Sequence, residues 1–167
     1  MQVNLNNIFT HDEIRKQLSA DFDFSAEEIG IDATFDRPVH MDAVLEKGNS
    51  SVALRLSVKA SSNCTCARCL KSFRKDYDFT REFFITRDVL TDPDNELFLE
   101  ADGTLDLELL TRQELTLEVP FILLCREDCP GLCPVCGKPK EEGCTCEVPQ
   151  WKDPRLSVFD QLTTDDE

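Results

Sequence analysis

The chain has 167 residues, 41% of them hydrophobic and 31% charged, which suits one ordinary domain, or one domain with a small appendage. No apolar run reaches the length of a bilayer span, and the opening MQVNLNNIFTHDEIRK has no basic region followed by an apolar one, so neither a membrane partner nor secretion is expected. A net charge of −15 makes a poor general ligand for nucleic acid or anionic lipid, and nine cysteines, an odd number, point to reduced thiols serving a metal in the cytoplasm rather than to a disulfide framework.

Val3 and Leu5 predict a short opening strand, and Thr10-His11-Asp12-Glu13 fits a capping box that would start a helix through Ile14 and Leu18. Ile29, Ile31, Ala33 and Phe35 alternate with polar residues, as do Val39, Met41, Ala43 and Leu45, and each set reads as a half-buried strand. Lys47-Gly48-Asn49-Ser50 is turn chemistry. It leads into Val52, Leu54, Leu56, Val58 and Ala60, which complete a hairpin. Another strand runs through Phe73, Tyr77, Phe79, Phe83 and Ile85, so that Cys64, Cys66 and Cys69 would sit in the connection between two long strands. An acidic loop with a Pro93-Asp94-Asn95 turn follows. Leu105 to Val119 alternates like strands, although Asp106 can cap a helix there. Asp153-Pro154 starts a last short helix bearing Leu156, Phe159 and Leu162, with Trp151 as its packing anchor. The expected division is an α+β domain on a mainly antiparallel sheet over 1–124, a cysteine-rich zinc-knuckle module over 125–150, and a short helix with an acidic tail over 151–167. No internal repeat is visible.

The chemistry lies in the cysteines. In Cys133-Pro134-Val135-Cys136-Gly137 two intervening residues let both sulfurs face one point, and Gly137 permits the positive φ that finishes the turn. Cys144 and Cys146 follow closely, and these four thiolates can close a tetrahedral site. Cys66 with Cys69, and Cys125 with Cys129, are each incomplete alone and together would form a second such site, leaving Cys64 spare. The competing reading is a single tail site with the other five cysteines free. All-thiolate tetrahedral sites suit zinc, and spacing alone leaves iron open. A closed four-cysteine site has no position for water and is structural rather than catalytic. Two isolated histidines, and no G-x-G anywhere, give little footing to an enzyme or to a small-molecule substrate.

Charge is uneven. Arg55, Lys59, Arg68, Lys71, Arg74 and Lys75 fall in one stretch without an acid, whereas Asp88 to Glu118 holds ten acids and the single base Arg112. The basic strip is a candidate RNA contact, and the bland alternative is a solvated strand face. The acidic stretch suggests an adaptor that shields a basic protein.

The pieces CARCLKSF, LCREDCPGLCPVCGKPKEEGCTC and DPRLSVF, in that order after a sheet, closely resemble the YceD family, the large ribosomal RNA subunit accumulation proteins. The matching positions are Cys66, Arg68, Cys69 and Leu70, then Leu124 to Gly137, then Asp153 to Leu156. Many relatives carry Asn-Leu-Asn where this chain has Lys138-Pro139-Lys140, and some lack the tail cysteines, which makes metal a stabilising device rather than the shared activity. The resemblance implies a helix near Asp106 to Val119, metal binding, and a non-enzymatic role in accumulation of large-subunit ribosomal RNA. The partner would be that RNA or a basic large-subunit ribosomal protein.

Overall fold

In a computed structural model, the structure describes residues 1–10, 15–26, 29–30, 32–88, 97, 99–100 and 102–146. The expected cap at 11–13, the turn at 93–95, Ile31, Trp151 and the helix from Asp153 lie outside these residues.

The elements in order are β1 (Gln2–Asn4), α1 (Leu5–Thr10), β2 (Arg15–Phe22), β3 (Ala33–Thr34), β4 (Val39–Lys47), β5 (Ser51–Thr65), β6 (Ser72–Thr86), β7 (Thr104–Asp106) and α2 (Leu107–Glu118), followed by a 3-10 turn over Lys140–Glu142. The architecture is α+β. β2, β4, β5 and β6 form an antiparallel sheet in that order, and β3 continues the line of β4 along β5, with Ala33 opposite Cys64. β1 and β7 make a separate antiparallel pair, Val3 opposite Leu105.

Strand alternation sends one face inward. Met41, Ala43 and Leu45 of β4, Leu54, Leu56 and Val58 of β5, and Tyr77 and Ile85 of β6 are buried in one cluster with Leu5, Ile8, Phe24, Phe35, Leu105 and Leu110. The other face is laced by charge. Arg15 pairs with Glu46 at 3.4 Å, Arg55 with Glu82 at 2.6 Å, and His40 lies between Asp21 and Asp42. The hydrogen bond that the His40 ring donates to the Asp21 carboxylate favours the imidazolium and raises the His40 pKa above its usual value.

Several sequence expectations need correction. Thr10 is the last residue of α1, and its hydroxyl donates back to the Asn6 carbonyl at 2.8 Å. Leu5 opens α1, and Leu18 lies in β2, because Leu18, Ala20 and Phe22 turn toward the core on alternate positions. The strand expected over 29–35 shrinks to two residues, although Ile29 and Phe35 are buried. Cys64 lies within β5 rather than in the connection after it.

The Leu105–Val119 ambiguity resolves as β7 followed by α2. The Asp106 side chain accepts from the N–H groups of Glu108 and Leu109 as N-cap. Leu107, Leu110, Thr111, Glu114 and Leu115 form the buried stripe, at helical spacing, and Leu117 is left exposed. Arg81 of β6 clasps this helix, meeting Glu114 at 3.3 Å and Glu118 at 2.6 Å, with its guanidinium 4.9 Å from the Phe79 ring centre. Glu114 is buried, so Arg81→Ala is expected to leave its carboxylate uncompensated and cost about 1–3 kcal/mol. Urea denaturation checks this, and a midpoint equal to that of the parent protein would show the clasp to be inert.

Candidate metal centres

β5 and β6 form a hairpin with fifteen residues in each arm, about 50 Å long at the usual rise. Its connection carries Cys66 and Cys69. Two hydrogen bonds shape this turn: Leu70 N–H to the Cys66 carbonyl and Cys66 N–H to the Lys71 carbonyl, both 2.9 Å. The tail repeats the arrangement. Gly137 N–H donates to the Cys133 carbonyl at 2.9 Å, and Cys133 N–H to the Lys138 carbonyl at 2.8 Å. Residues 66–71 and 133–138 are therefore two copies of one knuckle. The shared C-x-x-C spacing was the sequence signal for this repeat, which residue-by-residue similarity does not reveal.

The structure draws eight of the nine cysteines into two groups. Cys66, Cys69, Cys125 and Cys129 form one, Cys133, Cys136, Cys144 and Cys146 the other, with sulfurs within 4.8 Å of one another in each. In the first group Cys66 and Cys129, and Cys69 and Cys125, are 3.8 Å apart. In the second Cys136 and Cys144 are 3.4 Å apart. Sulfurs at the corners of a tetrahedral zinc site are about 3.8 Å apart, given a Zn–S bond of about 2.3 Å, so both groups can hold a metal ion. Cys64 stands outside them, buried in β5, with its sulfur 3.0 Å from the Ser62 hydroxyl.

The thiols of each group are held unequally. The backbone N–H of Cys125, with those of Cys69 and Arg68, draws the Cys66 thiol down to about 6, while partial burial and the neighbouring thiols push Cys125 up to about 12. In the tail the N–H groups of Cys136 and Val135 bring Cys133 down to about 6, and hydrogen bonding with Cys144 and Cys136 pushes Cys146 up to about 12. Four thiolates cannot share so small a volume without a cation between them. A divalent metal can supply that charge, and knuckle N–H groups are already oriented toward sulfur, as that of Val135 is toward Cys133.

Backbone contacts fasten the tail to the hairpin. Ala67 N–H donates to the Leu123 carbonyl at 2.8 Å, and Leu132 N–H to the Arg68 carbonyl at 3.2 Å. The Arg68 guanidinium donates to the carbonyls of Glu127 and Cys129. Gly131, at φ 73°, is needed here because a Cβ would stand 3.1 Å from the Arg68 carbonyl oxygen.

The six bases singled out in the sequence do not make one surface. Arg55, Lys59 and Arg74 lie on the outer sheet face, Arg68 and Lys71 in the knuckle, and Lys75 on the inner side, 5.5 Å from the Tyr77 ring centre. Arg55 is paired with Glu82, Arg74 with Asp36, and Arg68 is spent on carbonyls. Among the described residues no helix is long and apolar enough to cross a membrane.

The sequence model of a family described as "Large ribosomal RNA subunit accumulation protein YceD" matches residues 54–163, a stretch that holds both knuckles and all nine cysteines. The chain is similar to the uncharacterized protein Rv2926c of Mycobacterium tuberculosis, 37% identical over 103 residues, covering 59% of this chain and 50% of that one. It is also similar to the uncharacterized protein ML1660 of Mycobacterium leprae, 31% identical over 104 residues, covering 60% and 48%. The uncharacterized protein YlbN of Bacillus subtilis is 23% identical over 132 residues, covering 78% and 77%. The chain thus spans about half the length of the mycobacterial relatives it matches. No solved structure matches it.

Proposed function

Because the chain belongs to the YceD family, we propose that it is a non-enzymatic, cytoplasmic ribosome-biogenesis factor needed for accumulation of large-subunit ribosomal RNA, with zinc in both four-cysteine groups. The observation that carries the metal part is the convergence of eight cysteines, those of the first group distant in sequence, onto two tetrahedral-sized volumes. Closed thiolate sites of this kind are structural. One zinc fastens the hairpin turn to the tail, and the other folds a short polar stretch too small to make a core of its own. The expected zinc content is two per chain by elemental analysis of protein purified without chelator; one or none would overturn the two-site arrangement. The biological part is tested by deleting the gene and comparing the two ribosomal RNAs. Large-subunit RNA is expected to fall relative to small-subunit RNA, and an unchanged ratio would reject the reading.

A second reading has its own support. The net charge of −15 and the pairing of Arg55 and Arg74 with acids favour an acidic adaptor that shields a basic large-subunit ribosomal protein. Crosslinking in cells separates the two by whether RNA or a ribosomal protein is recovered.

A further inference from the structure

The two knuckles differ at one position. After the second cysteine of each, the backbone enters the left-handed region, with φ 71° at Gly137 and 58° at Leu70. Glycine adopts this conformation freely, whereas a leucine there is strained. The strain is not offset by burial, because Leu70 is 65% exposed. A strained, solvent-facing apolar side chain on a rigid turn contributes nothing visible to the fold, and strain of this kind collects where a surface has work to do. Beside it lies a cleft of about 380 Å³ lined by Cys69, Leu70, Lys71, Pro130, Pro139 and Glu141, among others. The bridge between Leu132 and Pro139, and the Lys140 N–H to Gly131 carbonyl bond of 3.0 Å, hold the tail side of this cleft in place.

Bases border the cleft: Lys71 lines it, and Lys138 and Lys140 flank its lining Pro139 in sequence. Lys71, Lys138 and Lys140 are exposed, and no described residue forms an ion pair with any of them. The one lining acid, Glu141, is taken by Arg126, which also holds Asp128 at 3.1 Å. We propose that this knuckle tip is the RNA-docking surface of the protein: Leu70 and the flanking prolines receive the face of an unpaired base while Lys71, Lys138 and Lys140 grip the neighbouring phosphates of a single strand. This inference rests on the ribosomal RNA reading above and moves its contact from the strand bases, of which Arg55 and Arg74 are ion-paired, to Lys71, Lys138 and Lys140. The knuckles are fixed by their hydrogen bonds, so the lysine backbones need no ordering when RNA arrives.

The test uses the zinc-loaded full chain and a short single-stranded RNA of mixed sequence, with binding followed by fluorescence anisotropy across a salt series. Leu70→Gly is the informative variant because it relaxes the backbone. Its thermal midpoint should be unchanged or raised, while affinity falls by about tenfold through loss of the apolar contact. The combined Lys71→Ala, Lys138→Ala and Lys140→Ala variant should flatten the log–log salt slope by about 2, at about 0.7 per phosphate contact. Parental affinity and slope in both variants would overturn the proposal, as would a parent protein that ignores RNA at low salt. In the deletion strain, full rescue of large-subunit RNA by Leu70→Gly would overturn the docking surface and leave the ribosomal reading standing. A deletion without any RNA phenotype would instead remove that reading itself.

Discussion

Cys66→Ser or Cys129→Ser is expected to lower the stability of the whole sheet, whereas Cys136→Ser or Cys146→Ser should affect only the tail around 133–146. The four ligands of the hairpin group join chain segments 56 to 63 residues apart. A crosslink closing a loop of that length removes unfolded-chain entropy worth about 4 kcal/mol in the loop-closure picture. Cys66 and Cys129 are buried against the knuckle, so a serine there also leaves a hydroxyl in a site shaped for thiolate. The tail group is local in sequence and has two exposed members, Cys136 and Cys146. Residues 125–129 should survive its loss, since Arg68 and the hairpin group hold them independently. Chemical denaturation followed by strand circular dichroism, with zinc content measured in parallel, distinguishes the two classes. Equal shifts of the strand transition in both would contradict the independence of the tail around 133–146 from the sheet.

Phe35→Ala is expected to cost about 3–5 kcal/mol, the usual range for removing a buried phenyl ring. Phe35 is 1% exposed and its ring centre lies 6.0 Å from that of Tyr77. The effect should reach the metal. β3 has two residues and cannot hold itself by ladder bonds alone. Phe35 follows it closely and anchors it in the core, where Ala33 pairs with Cys64, two residues ahead of Cys66. Thr65 N–H also donates to the Asp32 carbonyl at 3.1 Å. Loosening this support should free the base of the hairpin knuckle, so one of two zinc ions should pass to a chelator sooner than in the parent. If both ions leave at parental rates, β3 does not support the knuckle.

Strands β4, β5 and β6 were legible because their apolar residues alternate over long runs between clear turn signals. β2 carries the same signal in Leu18, Ala20 and Phe22, but the capping pattern just before it suggested a helix. Local chemistry and period disagreed there, and the sheet partner β4 decided between them. β3 lies inside the alternating run Ile29 to Phe35, but its short extent is set by pairing with the far end of β5, a tertiary event. In α2 the leucines alternate as in a strand, and only the buried set shows which period applies. The grouping of the cysteines followed from counting pairs. The basic strip misled for a geometric reason: adjacent strand residues face opposite sides, so Arg74 and Lys75 cannot share a surface. Leu70 was visible within its motif, but its backbone conformation was not. Comparison of 66–71 with 133–138 was the step that would have exposed it, because the second copy has glycine at that place. The Arg81 clasp on Glu114 and Glu118 had no sequence signature.

The pairing of β1 with β7, Val3 opposite Leu105, sets an order of events during synthesis. The opening strand has no ladder partner until β7 has left the ribosome, so it must wait while β4, β5 and β6 pair with near neighbours. Helix α2 directly follows β7 and closes over the sheet at the same stage. The hairpin cysteines are then already presented when Cys125 and Cys129 emerge, and the tail cysteines, close to one another in sequence, can gather without help from the rest. Refolding should therefore show a fast phase reporting the sheet and a slower one reporting β1 and α2, with the second phase lengthened when β1 is mutated and little changed when the tail cysteines are.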